Sequence, residues 1–133
     1  MVKARVLLVD DEPSFRRLIR DMLERANCDV EEVGDGLDGL AKAEALQPDV
    51  ILLDLMMPAV DGYEVCRRLK ALPATRTIPV IFLTASRDLR LNHEAYAAGA
   101  AACLTKPFRN EALLAVLHAT LAAGRRKEAG ARS

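Results

Sequence analysis

Short apolar runs alternate with helical patterns along almost the whole chain, and this alternation is the strongest constraint on its fold. Five β-rich runs predict strands near residues 4–9, 28–33, 50–53, 79–83 and 101–104, and a helical pattern follows each of them. The third run is apolar on both faces, as a central parallel strand must be. Strict alternation of this kind predicts an α/β fold, a parallel sheet with helices on both faces.

Local signals delimit the first two helices. Pro13 suits the first position of a helix. The apolar face of this first helix follows the spacing i, i+3, i+4, i+7, i+8 and comprises Phe15, Leu18, Ile19, Met22 and Leu23. A turn at residues 34–36 precedes the second helix, and Gln47-Pro48 ends it. Its inner face is predicted to comprise Leu37, Leu40 and Ala41.

The other three helices have comparable signals. Asp61 is expected to cap the third helix with Glu64 as its capping-box partner. The inward face of this helix comprises Val65, Cys66 and Leu69. The fourth helix is expected at about 88–98, ending near Gly99. The fifth starts near Asn110, and its apolar positions are Leu113, Leu114, Leu117 and Leu121.

The composition indicates one soluble domain. The chain has 133 residues, of which 51% are hydrophobic and 29% charged, enough to bury a core. Nineteen basic residues balance nineteen acidic ones, so no basic field draws the chain to nucleic acid or to a membrane surface. We expect a domain at 1–123, followed by a polar tail at 124–133 that is a frayed end or the stub of a linker.

The chain also lacks signals for export and for membrane insertion. Its first apolar run is cut at Asp10, too short for a signal peptide, and no apolar stretch approaches the roughly 20 residues of a membrane span. Cys28, Cys66 and Cys103 form no C-x-x-C pair, which argues against a zinc or redox motif. These features predict a cytoplasmic protein with reduced thiols in its core.

The polar residues that could carry chemistry follow four of the five strands. They are Asp10 and Asp11 after the first, Asp54 after the third, Thr84 after the fourth and Lys106 after the fifth. In an open α/β sheet the carboxyl ends of the strands form the ligand crevice. We therefore expect these five residues to meet at one edge of the sheet.

This set of groups suits a narrow range of reactions. Three carboxylates held together need a counter-charge, and carboxylate oxygens are the ligands that Mg²⁺ prefers. Lys106 adds a point charge suited to phosphate, and Thr84 adds a hydroxyl that can donate to a phosphoryl oxygen. A carboxylate nucleophile among such groups indicates formation of an aspartyl phosphate. Each residue alone could be a helix cap, a turn residue or a surface lysine.

The chain resembles the response regulator receiver family of two-component signalling, including its chemotaxis members. The matching segments cover about residues 4–122 and read VLLVDDEP, DVILLDLMMPAVDGYEVCRRLK, IPVIFLTA and TKPF. The resemblance implies a flavodoxin-like, doubly wound sheet of five parallel strands in the order 2-1-3-4-5, flanked by five helices. It also implies a phosphoprotein that works in a phosphorelay.

Residue roles carry over position by position. Asp54 resembles the phospho-acceptor, and the residues that resemble the magnesium ligands are Asp11, Asp54 and the Met56 carbonyl, with Asp10 acting mostly through a bound water. Thr84 resembles the switch hydroxyl, and Lys106 the phosphate-binding lysine. The Lys106-Pro107 bond is expected to be cis. Pro58 and Gly62 match positions that shape the loop after the acceptor.

The chain departs from the family at its switch. Cys103 lies where many members carry a Tyr or Phe that turns inward when the switch hydroxyl moves, so signalling through an aromatic ring at this position is not expected. Signalling would then run through backbone shifts in the fourth helix or through a partner; the alternative is that the Cys103 thiol only packs. Ala102 and Val116 occupy the positions of an acid and an arginine that pair across the dimers of some DNA-binding members. A dimer held by that charged pair is therefore not expected. We expect a monomer, or a weak apolar dimer through the fourth helix, fifth strand and fifth helix.

The resemblance implies a signalling domain rather than a turnover enzyme. We expect a phosphoryl group to be transferred from a sensor histidine kinase or a phosphotransfer protein to Asp54, with Mg²⁺ or its substitute Mn²⁺. The domain is expected to catalyse only this phosphorylation of itself and a slow dephosphorylation. Slow loss is expected because Met56 and Ser86 offer no acid or amide to orient water. Two alternatives are a magnesium-dependent phosphohydrolase, whose D-x-D pattern after the first strand is missing here, and a receiver-like module that no longer takes phosphate.

Overall fold

A computed structural model describes residues 3–57, 60–85 and 89–132. Five parallel strands in these ranges form one sheet in the order β2-β1-β3-β4-β5, which confirms the predicted architecture and strand order. The strands are β1 (Arg5–Val9), β2 (Asp29–Val33), β3 (Val50–Asp54), β4 (Val80–Thr84) and β5 (Ala102–Thr105). The register pairs Val9 with Leu53 and Asp54 with Leu83, so the carboxyl ends of β1, β3 and β4 lie side by side.

Five helices alternate with these strands. They are α1 (Pro13–Arg25), α2 (Gly36–Leu46), α3 (Gly62–Ala71), α4 (Leu89–Ala97) and α5 (Asn110–Arg132). Pro13 takes the first turn of α1 as predicted. Asp61 caps α3 by accepting the Glu64 N–H at 2.9 Å, while the Glu64 carboxylate pairs with two arginines of the same helix. Residue 88, expected at the start of α4, lies outside the described residues.

Alternate residues of each strand point to opposite faces of the sheet, and each face has its own hydrophobic core. One core joins Leu7 and Val9 of β1 to α2, α3 and α4. The other joins Val6 and Leu8 of the same strand to α1 and α5. All five residues of β3 are buried, as expected for the central strand. This two-sided burial fixes the strand register and hence the place where each strand ends.

Two predicted helix faces are partly wrong. In α1, Ile19 and Leu23 are buried, but Leu18 is 51% exposed because it lies at the margin of the apolar stripe. In α2 the buried face consists of Gly36, Gly39 and Ala43, whereas Leu37 is 56% exposed and Ala41 is also exposed.

The physical reason for the α2 error is a close approach of that helix to its neighbours. A Cβ on Gly39 would lie 3.0 Å from Val9 Cγ2, and one on Gly36 would lie 2.6 Å from Val65 Cγ2. Large side chains cannot occupy the positions of closest approach, so Leu37 points outward. Leu40, also predicted on the inner face, is half-buried and packs against the core, which confirms that part of the prediction. The predicted inward face of α3 is confirmed, with Val65, Cys66 and Leu69 each at most 1% exposed.

The fifth helix differs from expectation in length. It begins at Asn110 as predicted and buries Leu113 and Leu117, but it continues to Arg132. The residues expected to form a frayed end or a linker stub are therefore helical as far as Arg132. Alanine, arginine, lysine and glutamate are all good helix formers, and they outweigh the two glycines of this segment. None of the described helices is both long and apolar enough to cross a membrane.

Candidate functional site

The five predicted site residues lie at the carboxyl edge of the sheet. Asp10 directly follows β1, Asp54 and Thr84 are the last residues of β3 and β4, and Lys106 directly follows β5. The Lys106 N–H donates to the Thr84 carbonyl at 2.7 Å, which ties the end of β5 to that of β4. Asp10, Asp54 and Thr84 are at most 5% exposed. The sequence thus correctly predicted that these positions converge.

The three acids form a compact oxygen cluster. Asp10, Asp11 and Asp54 can each offer a carboxylate oxygen so that the three atoms lie within 4.8 Å of one another. Asp10 and Asp54 are buried, while Asp11 is exposed to solvent. Hard oxygen donors at this spacing, with one side open to water, suit a small divalent cation that keeps part of its hydration shell.

Lys106 provides positive charge within this cluster. Its ammonium lies 2.8 Å from Asp10 Oδ2 and 3.7 Å from Asp54 Oδ1, and its side chain is only 17% exposed. One ammonium among three carboxylates leaves an excess of negative charge. The cluster is therefore electrostatically suited to bind an additional cation.

The protonation of Asp54 reflects this crowding. Burial, followed by the negative charge of Asp10, raises the pKa of the Asp54 carboxyl to about 6, although Lys106 and the Met56 N–H favour its charged form. The Met56 N–H donates to Asp54 Oδ1 at 3.2 Å. The carboxylate is thus held in a defined orientation at the end of the central strand.

The turn after β1 is organised by residues that the sequence analysis did not single out. The Glu12 N–H donates to Asp10 Oδ1 at 2.9 Å, and Arg16 Nη1 donates to the Asp10 carbonyl at 2.6 Å. Arg16 also lies 3.5 Å from a carboxylate oxygen of Glu32 on β2. An arginine in the second turn of the helix that follows the acid pair was the signal that could have identified this contact.

A second missed contact involves Phe15, which the sequence analysis assigned to the apolar face of α1. The half-buried ring lies over the Lys106 ammonium, with 4.0 Å from Nζ to the ring centroid. The edge of Phe108 packs against Phe15 at a centroid distance of 5.9 Å and an interplanar angle of 84°. The aromatic residue in the first turn after the acidic loop was the only sequence signal for this contact.

The loop after the acceptor packs tightly where the structure describes it. The Gly62 N–H donates to the Leu55 carbonyl at 3.0 Å. A Cβ on Gly62 would lie 2.6 Å from the Asp54 carbonyl oxygen. Gly62 thus allows α3 to begin directly against the acceptor strand. The Met56 side chain is 69% exposed. Pro58, which was expected to shape this loop, lies outside the described residues, as does Ser86 after β4.

The region around the predicted switch contains a cysteine beside a tyrosine. Cys103 is half-buried on β5, its pKa is raised by burial, and its thiol is within hydrogen-bonding reach of Tyr96 on α4. The Tyr96 ring is 52% exposed. Ala102 and Val116 pack against the core on the α1 and α5 side. The Lys106-Pro107 bond is cis, as the resemblance implies.

Comparisons with known proteins agree with this geometry. The family model for the response regulator receiver domain matches residues 6–118. The chain is 44% identical over 117 residues to the DNA-binding dual master transcriptional regulator RpaA of Synechocystis sp., and this match covers 88% of the chain but 48% of RpaA. It is 36% identical over 115 residues to Protein PilG of Pseudomonas aeruginosa, covering 86% of the chain and 85% of PilG.

A solved structure supports the same assignment. The receiver domain of the sensor histidine kinase PA1611 from Pseudomonas aeruginosa PAO1 has a TM-score of 0.85 at 31% identity, covering 91% of this chain and 99% of that one. Its structure has a magnesium ion coordinated in the active site cleft. The chain spans about half the length of RpaA and most of PilG. By sequence, fold and the position of its acidic cluster, this chain belongs to the response regulator receiver domain family.

Proposed function

We propose that Asp54 accepts a phosphoryl group from a phosphohistidine of a sensor histidine kinase or a phosphotransfer protein. The observation that carries this proposal is the convergence of three carboxylates within 4.8 Å, with the Lys106 ammonium 3.7 Å from Asp54 Oδ1. Membership of the receiver family makes such a donor the expected partner. Neither a nucleic acid nor a membrane is proposed as a direct partner of this domain, whose formal charge is zero.

The proposed reaction is a displacement at phosphorus. A carboxylate oxygen of Asp54 attacks the phosphoryl group, the new O–P bond forms, and the N–P bond of the donor breaks. The electron pair of the broken bond stays on the imidazole nitrogen. The product is an acyl phosphate on Asp54, and the charge that develops on the phosphoryl oxygens is what the surrounding groups must stabilise.

The donor set fits magnesium, with manganese as a substitute. Asp11, Asp54 and the Met56 carbonyl would hold the ion, and Asp10 would act mostly through a bound water. When bound, the ion neutralises charge on the phosphoryl oxygens. The fit rests on the hard oxygen donors of the cluster and on its excess of negative charge over the single lysine.

Two side chains supply the remaining functions. Before phosphorylation the Lys106 ammonium pairs with the Asp10 carboxylate. Its three N–H donors allow it to bind a phosphoryl oxygen on Asp54 as well. Thr84, buried at the end of the neighbouring strand, donates its hydroxyl to another oxygen. Movement of Thr84 toward the phosphoryl group would change the surface formed by α4, β5 and α5, the face that a partner reads.

We propose that the domain is a switch and not a turnover enzyme. It catalyses its own phosphorylation and a slow dephosphorylation, because the exposed Met56 side chain offers no acid or amide to orient water. Ser86, the other position expected to tune this lifetime, lies outside the described residues. A phosphoryl half-life of seconds would contradict slow dephosphorylation.

We also propose that the domain is a monomer, or a weak dimer that forms through the α4-β5-α5 face.

The test is incubation of the chain with a small acyl phosphate, with and without Mg²⁺, followed by intact-mass measurement. We expect one added phosphoryl group on the wild type with Mg²⁺, almost none without the metal, and none on Asp54→Ala. Asp11→Asn should retain the acceptor but require more metal. Equal labelling of the wild type and Asp54→Ala would exclude Asp54 as the acceptor. Steady turnover of a phosphate ester would instead support a phosphohydrolase.

A further inference from the structure

We infer that Phe15 is a positioning residue for Lys106: its ring face holds the lysine ammonium between Asp10 and Asp54. The inference rests on the proposed function, because Lys106 matters through the phosphoryl group that it would contact. Phe15 itself touches none of the reacting atoms. The geometric basis is the 4.0 Å separation between Lys106 Nζ and the Phe15 ring centroid.

The ammonium is enclosed on more than one side. Asp10 Oδ2 lies 2.8 Å away and Asp54 Oδ1 lies 3.7 Å away, and the aromatic face covers a further direction. The negative face of an aromatic ring attracts a cation, and the ring also excludes water from that side. Fewer surrounding waters strengthen the attraction between the ammonium and the carboxylates. The four-carbon lysine stem has many rotamers, and the ring restricts them.

The ring is itself held in place. Phe15 lies in the first turn of α1, and that turn is tied to the acidic cluster because the Glu12 N–H donates to Asp10 Oδ1 at 2.9 Å. The edge of Phe108 packs against Phe15 at an interplanar angle of 84°. The two aromatic residues thus join the first turn of α1, which follows the loop after β1, to the loop after β5. Both loops carry residues of the proposed site.

A purely structural role for Phe15 predicts something different. As one member of an apolar stripe, Phe15 could be replaced by leucine with a loss of stability but no specific effect on Lys106. A positioning role requires an aromatic ring, so tyrosine should replace phenylalanine and leucine should not. A structural role and a positioning role therefore differ in whether Phe15→Leu or only Phe15→Tyr keeps the wild-type phosphorylation rate.

The test compares the full-length wild type with Phe15→Leu and Phe15→Tyr. Leu18→Ala is the matched control, because Leu18 is an apolar residue of the same helix and is 51% exposed. The first readout is the NMR shift of the Lys106 ε-methylene protons, assigned from the signal lost in Lys106→Met. The second is the initial rate of phosphorylation by a small acyl phosphate at saturating Mg²⁺. Thermal unfolding of each variant reports its fold.

We expect a ring-current shift at Lys106 in the wild type and in Phe15→Tyr, and its loss in Phe15→Leu. The phosphorylation rate should fall roughly three- to tenfold in Phe15→Leu, the range of a partly desolvated cation–π contact, and recover in Phe15→Tyr. The inference is overturned if the wild type shows no such shift, if leucine keeps the wild-type rate, or if folded tyrosine and leucine variants are equally slow. If the wild type takes no phosphoryl group, the proposed function fails, and the NMR shift alone decides the inference.

Discussion

Among single residues, Phe15 and Arg16 hold groups of the site in place: the Phe15 ring lies over the Lys106 ammonium, and Arg16 Nη1 donates to the Asp10 carbonyl. Asp10, Asp54 and Thr84 could be predicted because each directly follows an apolar run. Phe15 and Arg16 were missed because an apolar or basic residue at a helix start is typical of core packing or of a solvated face. Their contacts with Lys106 and with the Asp10 carbonyl depend on how two loops meet, which spacing does not encode.

The raised pKa of Asp54 leads to a prediction about stability and pH. Burial and the charge of Asp10 raise this pKa from 3.8 to about 6, so the native state disfavours the charged carboxyl. The destabilisation of the native state is absent well below pH 3.8, grows between that pH and about 6, and is complete above about pH 6. Without divalent metal, we expect Asp54→Asn to unfold at a higher urea concentration than the wild type near pH 8, by about 1–2 kcal/mol after allowance for solvent screening.

The same comparison supplies its own controls. Near pH 3 the two proteins should have almost equal free energies of unfolding, because the wild-type carboxyl is then mostly protonated in both states, about one pH unit below its unfolded pKa of 3.8. Added Mg²⁺ should stabilise the wild type more than Asp54→Asn, since it binds the folded acidic cluster. A free-energy difference that does not change between about pH 3 and about pH 8 would contradict the raised pKa of Asp54.

Gly62 gives a second prediction at this scale. A Cβ there would lie 2.6 Å from the Asp54 carbonyl oxygen and 2.8 Å from the Leu55 Cα, both backbone atoms that cannot easily move. We expect Gly62→Ala to lower the free energy of unfolding by about 1–3 kcal/mol and to slow phosphorylation, because the acceptor strand must shift. The matched control is Gly124→Ala in α5, where nothing lies within 4 Å of the added Cβ. That variant should be neutral or stabilised by up to about 1 kcal/mol.

At the scale of elements, the number, order and type of the helices and strands followed from the sequence, but the orientation of α2 did not. Of the predicted inner face only Leu40 packs against the core, and the fully buried residues are Gly36, Gly39 and Ala43. Periodicity measures where large apolar residues lie, whereas a close contact between helix and sheet selects small ones. The length of α5 was also underestimated, since charged residues near a chain end were interpreted as a tail.

The orientation of α2 can be tested with two leucines. Leu37→Ala should lower the free energy of unfolding by less than about 1 kcal/mol, because the side chain is 56% exposed. Leu69→Ala in α3 removes the same atoms from a site that is 1% exposed and should cost about 2–5 kcal/mol. Urea denaturation of both variants measures the difference. Equal losses would mean that Leu37 is buried and that the face assigned to α2 is incorrect.

At the scale of the whole molecule, the parallel sheet brings distant residues to one edge. Asp10 and Lys106 are 96 positions apart in sequence, and their charged atoms lie 2.8 Å apart. This convergence was predictable because parallel strands share the edge at which they end. How a phosphoryl group at that edge would alter the distant α4-β5-α5 face was not predictable, since Cys103 replaces the expected aromatic residue and contacts Tyr96 instead.

The role of Cys103 gives a prediction for the whole molecule. Burial raises the pKa of its thiol, which favours the unreactive protonated form, and its position among core residues indicates packing. We expect Cys103→Ala to retain phosphorylation and phosphorylation-dependent partner binding, with a small loss of stability. Binding to a phosphotransfer or output partner can be measured with and without the phosphoryl group. Loss of the phosphorylation-dependent part alone would show that Cys103 takes part in the switch.

Asp54, and neither of the neighbouring acids, is proposed to receive the phosphoryl group. Borohydride reduces an aspartyl phosphate to homoserine, which mass spectrometry of peptides can locate. After treatment with a small acyl phosphate and Mg²⁺, followed by borohydride, we predict homoserine at position 54 and unchanged aspartate at positions 10 and 11. Homoserine at position 10 or 11, or unmodified aspartate at all three positions, would contradict the account.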